Sequence, residues 1–264
     1  MVPNALAAVL YALATLWLVR DARDPEQRNG RGWLWFAAPA VCAHAYAHWQ
    51  GWRFTGTTDL HFFAALSLGG LGMAALTVAG AATGTARALG VVVFPLAALM
   101  LLAYGVYGHT IRPQPLSWQL LLHAWLALLS YATLSLAAVL AVFLWAQERA
   151  LRRRDFNPWL RALPPLTELE SLLFRTITVG FILLTGTLLT GALYVENLFA
   201  QHLVHHTVLS ILSWLAFGAL LLGRWRRGWR GALAVRWTLT AMALLVLAFF
   251  GSKFVLELVL RRGG

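Results

Sequence analysis

The sequence has little charge and almost no cysteine. Only 12% of its 264 residues are charged and 60% are hydrophobic, whereas about 25% are charged in a typical soluble domain. The single cysteine, Cys42, lies inside an apolar run, so the chain can form no internal disulfide. This composition indicates an integral membrane protein.

Several motifs of well-known enzymes and cofactor-binding proteins are also missing. The chain has no P-loop, no glycine-rich dinucleotide turn and no nucleophile elbow. It has no HExxH motif, which excludes a zinc protease, and no CxxCH motif, which excludes covalent haem attachment. We therefore assign no catalytic residues.

Eight apolar runs make up most of the chain, and a helix needs roughly 20 apolar residues to cross a bilayer. No stretch between the runs is long enough for a separate soluble domain. We predict an all-α, polytopic integral membrane helical bundle with about eight transmembrane helices, folded as a single integral membrane domain over residues 1–264. The runs cover residues 3–19, 33–49, 60–79, 88–107, 118–145, 169–195, 203–222 and 233–260.

The distribution of arginine predicts how these helices are oriented. A formal charge of +11 would suggest nucleic-acid binding in a soluble protein, but here the arginines occupy short loops between apolar runs. Fourteen arginines lie in the odd-numbered loops, against four in the even-numbered loops and at the C-terminal end. We therefore expect the lipid bilayer as partner and no nucleic acid, with both termini outside. The first run lacks the basic leader of a signal peptide, so we expect it to be retained as a span.

The start of the sixth helix has its own signals. Pro164 and Pro165 cannot continue a helix from upstream. Thr167 followed by Glu170 has the spacing of a capping box, which predicts that the helix begins at Thr167.

The histidines carry the functional argument. With the helices threaded alternately through the bilayer, all eight fall in its outer half, at or near helix ends. Imidazole is costly in lipid and usually serves a ligand, a proton or a metal. A layer of imidazoles in an apolar bundle suggests a cofactor site, with haem as the leading candidate. The residues are His44, His48, His61, His109, His123, His202, His205 and His206.

Single histidines also have simpler interpretations. His44 and His48 share a face of the second helix, where a hydrogen bond to a neighbouring helix explains either of them equally well. His61 and His109 are expected to be hydrated interface residues. The small, polar-edged helix face beside His123 leaves room for a macrocycle, but it also suits plain helix packing.

A haem site needs axial ligands, apolar walls and a cation for the propionates. The candidate axial ligands are His123 paired with either His44 or His206. His48 is a further candidate ligand. The candidate walls are Phe54, Trp49, Trp52, Tyr104 and Tyr107. The candidate cations are Arg53, Arg112 and Lys253, although Lys253 and Glu257 have the spacing of an ion pair on one helix.

Short motifs across the chain support this reading. They are Cys42 to Ala45, Leu122-His123-Ala124, Leu129-Ser130-Tyr131-Ala132, Leu173-Phe174-Arg175, Gly180-Phe181, Leu183-Leu184-Thr185, Thr190-Gly191-Ala192, Gly228-Trp229-Arg230-Gly231 and Phe250-Gly251-Ser252-Lys253-Phe254. Together they resemble the cytochrome c assembly family, which includes CcsA and CcmC. The resemblance is strongest over residues 118–256 and is closest to the YpjD/HemX-type subgroup.

This resemblance implies a haem-handling protein of the bacterial inner membrane, linked to cytochrome c assembly or haem homeostasis. It also implies apocytochrome c or another assembly or haem-synthesis protein as partner. CcsA-type members present haem with external histidines and a WWD segment, and His123 matches the first of those histidines. The loop Tyr194 to Thr207 lacks a WWD signature, and no histidine follows Lys253. We therefore expect non-covalent haem b and a binding role rather than a catalytic one.

Two other functions remain open. A divalent-cation transporter or accessory membrane subunit without haem would use the histidine layer as a metal site. His202 and His206 have an i,i+4 spacing that could hold zinc, but no carboxylate or cysteine ligand follows at a standard distance. Few ionisable residues lie near the bilayer centre, which argues against transport. A scaffold that controls another membrane or haem-synthesis protein is the third possibility.

Overall fold

Helices account for every regular element that the structure describes. The structure is a computed structural model and describes residues 2–23, 30–82, 84–108, 116–154, 163–194 and 204–251. The α-helices are α1 (Val2–Arg23), α2 (Leu34–Thr55), α3 (Phe62–Ala79), α4 (Gly84–Tyr107), α5 (Trp118–Arg153), α6 (Leu166–Tyr194), α7 (Val204–Arg227) and α8 (Gly231–Val246). A 3-10 turn (Gly80–Ala82) follows α3, and a π-helical turn (Leu247–Gly251) follows α8. The predicted all-α class is confirmed.

Seven of these helices, all except α2, are long and apolar enough to cross a membrane. α2 has 22 residues, but His44, His48 and Gln50 lower its hydropathy. The protein is therefore a multi-span helical membrane protein.

Several helices extend beyond their apolar runs. α1 continues to Arg23, α5 to Arg153 and α7 to Arg227, whereas the corresponding runs end at residues 19, 145 and 222. Arginine is a good helix former, and the C-terminal end of a helix favours cations. Apolar residues therefore mark the part of a helix suited to lipid, and not the point where the helix ends.

The chain divides into two compact units. The first comprises Met1–Pro115 and Ala146–Leu169, and the second comprises Leu116–Trp145 and Glu170–Gly264. α1 to α4 belong to the first unit, and most of α5 together with nearly all of α6 to α8 belongs to the second.

Small residues let the helices of the first unit approach closely. α1 and α3 each pack against both α2 and α4. Ala7, Ala47 and Ala64 form a buried cluster there with larger side chains of α4. A Cβ atom added at Gly70 of α3 would lie 3.2 Å from the Cα atom of Ala97 in α4. Such close contacts between helix backbones favour helix association inside a membrane.

Hydrogen bonds connect each helix of the second unit to two others. In lipid, a side chain that reaches a carbonyl or hydroxyl group on a neighbouring helix fixes the packing of the pair. The donors and acceptors are Ser130 Oγ to Gly180 O (3.3 Å), Trp214 Nε1 to Thr185 Oγ1 (2.9 Å), Ser213 Oγ to Ala241 O (2.7 Å) and Tyr131 OH to Leu245 O (2.8 Å).

The start of α6 differs from the prediction. The backbone carbonyl of Pro165 accepts hydrogen bonds from the N–H groups of Glu168 (2.9 Å) and Leu169 (3.0 Å). The helix therefore begins at Leu166, and Thr167 lies inside the first turn. The capping-box prediction is wrong because Thr167 is not the residue that precedes the helix.

The Glu170 carboxylate, the other half of that predicted box, forms ion pairs instead. Its Oε1 atom accepts hydrogen bonds from Arg224 Nη1 at 2.7 Å and from Arg230 Nε at 3.0 Å. Glu170 is buried, and its two partners lie near the end of α7 and just before α8. One carboxylate thus connects the ends of three helices in the second unit.

Candidate functional site

His44 of α2 is completely buried in the first unit, and both of its ring nitrogens have partners. Nδ1 lies 3.3 Å from the hydroxyl of Tyr11 in α1, and Nε2 lies 2.9 Å from Ser67 Oγ in α3. Tyr11 is also fully buried and stacks on Phe94 of α4. His44 therefore satisfies its hydrogen-bonding groups with neighbouring helices, as buried polar groups generally do.

His48, one turn further along α2, contacts the same hydroxyl group. Its Nε2 atom lies 3.0 Å from Ser67 Oγ. Its ring stacks on Tyr104 of α4 with ring centroids 4.6 Å apart, and it lies 5.5 Å from the ring of His44. The predicted shared face of the two histidines is therefore directed at α3 and α4.

His61 is buried, with only 8% of the residue exposed, so the expectation of a hydrated interface histidine is wrong. It directly precedes α3. Asp59 Oδ1 accepts hydrogen bonds from the His61 ring at Nδ1 (2.5 Å) and from its backbone N–H (3.1 Å). The Nε2 atom is buried and has no hydrogen-bond partner among the described residues. The rings of Tyr104 and Phe63 lie 6.0 Å and 6.4 Å from the imidazole, centroid to centroid.

His123 of α5 is half-buried in the second unit and is anchored to α6. Its Nδ1 atom lies 3.0 Å from the backbone carbonyl of Thr187 and 3.2 Å from Thr190 Oγ1. A carbonyl can only accept, so Nδ1 carries the hydrogen and Nε2 keeps its lone pair. A Cβ atom added at Gly191 would lie 3.1 Å from His123 Cε1, so this glycine leaves the space that the ring occupies.

The other candidate residues divide between described and undescribed parts of the chain. His206 of α7 belongs to the second unit, as does His123, and its ring lies edge-on to Phe249 at 6.2 Å. His205 is exposed. The predictions for His109, His202, Arg112, Lys253 and Glu257 lie outside the described residues.

The predicted apolar walls belong to the first unit. Trp49 is 44% exposed, Trp52 is 50% exposed and Phe54 is 89% exposed. The Arg53 guanidinium lies 5.2 Å from the centre of the Trp49 ring. Tyr104 differs from the other wall candidates because it is buried against His48.

The structure thus brings His44, His48 and His61 together around Ser67 and Tyr104. The hydrogen-bond partners Tyr11, Ser67, Asp59 and Thr187 are not among the residues predicted from the sequence. Each of the first two is a polar residue within an apolar run, which in a membrane helix usually indicates a buried contact. For Asp59, the signal in the sequence was its position two residues before His61, which allows the carboxylate to contact the imidazole.

At His123, in the second unit, the arrangement holds one ring nitrogen and presents the other, which suits a ligand that needs a single imidazole from this position. No group of three or more His, Cys, Asp or Glu side chains that could hold a metal ion occurs within the residues described. Iron in haem takes most of its ligands from the macrocycle and needs only axial side chains from the protein.

These observations define a class, a multi-span helical membrane protein in which hydrogen bonds hold four of the described histidines in place, His44, His48, His61 and His123. Sequence comparison specifies the family. The cytochrome c assembly protein model matches residues 40–260, and the chain belongs to that family. The resemblance found in the sequence motifs is thereby confirmed.

Individual relatives support the same assignment. The chain is 38% identical to inner membrane protein YpjD of Escherichia coli K12 over 142 residues, which are 53% of each chain. It is 28% identical to protein HemX of Brevibacillus brevis over 134 residues, 50% of this chain and 49% of HemX. It is 30% identical to cytochrome c biogenesis protein CcsA of Prochlorococcus marinus over 90 residues, 33% of this chain and 28% of CcsA. The chain thus spans about half the length, or less, of these curated relatives. No solved structure matches it.

Proposed function

We propose that this protein binds haem b non-covalently in the membrane and takes part in cytochrome c biogenesis or haem homeostasis. Membership of the cytochrome c assembly family supports the role in cytochrome c biogenesis. The likeness to proteins named HemX and CcsA supports haem as the ligand. Bound haem would supply an iron centre or would itself be the cargo passed to apocytochrome c or to another assembly or haem-synthesis protein.

The anchored imidazole of His123 is the observation that carries the proposal. Histidines that bind metals usually donate the hydrogen of their other ring nitrogen to a carbonyl or carboxylate, which fixes the ring. His123 has this arrangement, because Nδ1 is held by Thr187 O at 3.0 Å. Its Nε2 lone pair is left for an iron atom.

For the second axial ligand of the iron, our first choice is His206. It belongs to the same unit as His123, and its ring is held edge-on by Phe249. His44 is the alternative second ligand, and binding iron would require it to give up its contact with Tyr11 or with Ser67. His48 would likewise have to give up Ser67 if it bound through Nε2.

An absorption spectrum of the purified protein tests the proposal. We expect a Soret band in mild detergent that shifts on reduction, and we expect His123→Ala to lose or alter it. His205→Ala, which removes an exposed histidine, should leave the spectrum unchanged. Wild-type protein that binds no haem even after reconstitution would refute the haem proposal. Thermal stabilisation by divalent metal without any haem signal would instead favour the divalent-cation function.

We also propose the bacterial inner membrane as the location, with the N-terminus outside. The likeness to an inner membrane protein of Escherichia coli and the arginine imbalance of the loops support this.

A further inference from the structure

The turn between α7 and α8 is short and strongly basic. Only Gly228, Trp229 and Arg230 separate the two helices, and both helices are long and apolar enough to cross a membrane. A turn of three residues has little reach, so it stays close to the headgroups of the lipid. The sequence contains no Asp or Glu between Glu196 and Glu257. The arginines in and around the turn are Arg224, Arg226, Arg227, Arg230 and Arg236.

The backbone of this turn is fixed by a helix cap. Gly228 has a φ of 65°, and its N–H donates to the carbonyl of Arg224 at 3.1 Å. The N–H of Trp229 donates to the carbonyl of Gly223 at 3.3 Å, which completes the hydrogen-bond pattern of a Schellman motif. The Trp229 ring packs over Gly223, where a Cβ atom would collide with it. Arg230 therefore follows a backbone of defined shape.

The two arginines that pair with Glu170 use their guanidinium groups differently. Arg224 donates to Glu170 Oε1 and to the carbonyl of Trp229, and its guanidinium lies 4.7 Å from the centre of the Phe174 ring. Arg230 binds Glu170 through Nε at 3.0 Å, and its side chain is 62% exposed. Within the described part of the chain, the Nη groups of Arg230 have no hydrogen-bond partner. Glu170 thus holds one edge of this guanidinium and leaves the other edge free.

A guanidinium held in this way suits a phosphate. Arginine binds phosphate oxygens through two parallel N–H groups, and a fork that is already oriented loses less conformational freedom on binding. Arg226 and Arg227 are exposed and form no ion pair with any described residue. The carboxylate of Glu170 balances only one of the positive charges, so the surface as a whole attracts anions.

An exposed tryptophan indicates that the phosphate belongs to a lipid. Trp225 is 80% exposed, and the Arg226 guanidinium lies 5.9 Å from the centre of its ring. Tryptophan is enriched at the boundary between membrane and water, where its ring contacts the headgroups. Basic side chains beside a membrane span are attracted to anionic lipid. Trp225 therefore favours a phospholipid over a soluble polyanion as the occupant.

We propose that the α7–α8 turn binds the phosphate of an anionic phospholipid. Arg230 binds the phosphate, Arg226 and Arg227 add attraction, and Glu170 positions Arg230. This inference goes beyond haem binding and does not depend on it, because no histidine takes part.

Native mass spectrometry of the protein in detergent, with added phosphatidylglycerol or phosphatidylcholine, tests the inference. Wild type should bind phosphatidylglycerol in preference to phosphatidylcholine. Arg230→Gln and the double variant Arg226→Gln/Arg227→Gln should weaken phosphatidylglycerol binding about fivefold for each arginine replaced, the effect of one cation close to an anionic membrane surface. Arg230→Lys keeps the charge but loses the planar fork, so it should also weaken binding, although by less.

Glu170→Gln separates positioning from simple charge. This variant makes the surface more positive, so charge alone would strengthen the binding of phosphatidylglycerol. Release of the Arg230 side chain should instead weaken it. Stronger binding in Glu170→Gln would overturn the positioning role.

Arg31→Gln is the matched control, because it removes one exposed arginine of the first unit, away from this turn. It should bind phosphatidylglycerol as wild type does. An equal loss in Arg31→Gln and Arg230→Gln would show that only total charge matters and would overturn the inference, as would a wild type without preference between the two lipids. Inorganic phosphate should not raise the unfolding temperature, and stabilisation equal to that by phosphatidylglycerol would overturn a lipid as the occupant. If Arg230→Gln does not fold, wild-type binding by Arg226→Gln/Arg227→Gln and by Arg230→Lys overturns the inference.

Discussion

At the scale of single residues, the histidines differ in how many ring nitrogens the protein already uses. His44 has partners at both nitrogens, whereas His123 and His61 are each held at Nδ1. His61 is buried, however, whereas the ring of His123 is only half-buried. This difference is the reason that we propose His123, rather than His44 or His61, as the first ligand.

Gly191 allows a prediction about His123. In Gly191→Ala the added Cβ atom would lie 3.1 Å from His123 Cε1, so the ring must shift by a few tenths of an ångström, which disturbs its contact with Thr187. We expect haem affinity to fall about tenfold, as when a supporting hydrogen bond is lost. Stability should hold, since alanine favours a helix over glycine by roughly 0.5–1 kcal/mol.

Gly186→Ala on the same helix is the matched control for that change. Its Cβ atom would meet only Leu126 Cδ1 at 3.7 Å, an ordinary contact. Haem titration followed by absorption should show wild-type affinity for this variant. Equal affinities of the two variants would contradict the role given to the position of the His123 ring.

The sequence located the histidines along the helices more readily than it indicated their hydrogen-bond partners. His123 and His44 could be placed near the ends of apolar runs from periodicity alone. Their partners lie far along the chain, with Tyr11 33 positions from His44 and Thr187 64 positions from His123. Such contacts depend on how helices pack, which a hydrophobic pattern does not encode. His61 was misjudged because its proximity to a helix end suggested water, whereas the turn that carries Asp59 folds the ring inward.

At the scale of elements, eight apolar runs predicted eight helices because lipid requires continuous backbone hydrogen bonding. The ends of the helices were less predictable, because arginine-rich turns remain helical beyond the apolar part of each helix. The start of α6 shows why a local rule can fail. Glu170 matched a capping pattern, but two arginines from α7 and the residue before α8 are stronger partners for a buried carboxylate.

Glu170→Gln tests whether this contact fastens the ends of the three helices. Glutamine keeps an acceptor but loses the charge that pairs with Arg224 and Arg230. Removing one member of a buried ion pair costs about 3–5 kcal/mol. We expect a smaller loss, about 1–2 kcal/mol, because the Arg230 side chain is 62% exposed.

Thermal unfolding in detergent measures this effect, with Glu168→Gln as the control. Glu168 lies in the first turn of the same helix and is exposed. The Glu168→Gln protein should unfold at a temperature close to that of the wild type. A Glu170→Gln protein as stable as the Glu168→Gln protein would show that the ion pairs contribute little.

At the scale of the whole molecule, the single cysteine makes the orientation easy to measure. Replacing Cys42 with serine gives a background without thiols, into which Thr58→Cys or Leu151→Cys can be introduced. The arginine imbalance predicts that the loop after α2 lies outside and the loop after α5 inside. A membrane-impermeant maleimide should therefore label Thr58→Cys in intact cells and Leu151→Cys only after permeabilisation. Thr15→Cys, within α1, is the control and should resist labelling in both cases. The reverse labelling pattern, with Leu151→Cys at the C-terminal end of α5 labelled in intact cells and Thr58→Cys only after permeabilisation, would invert the proposed topology.

The hydroxyl of Ser67 restricts the tautomers of its two neighbours. It has one hydrogen to donate and faces the Nε2 atoms of both His44 and His48, at 2.9 and 3.0 Å. At least one of these two rings must therefore be the Nε2–H tautomer. If that ring is His44, its Nδ1 atom becomes the acceptor and the Tyr11 hydroxyl must point toward it. A change of tautomer at His44 thus requires the hydroxyls of both Tyr11 and Ser67 to reorient, so α1, α2 and α3 share one interdependent set of protons.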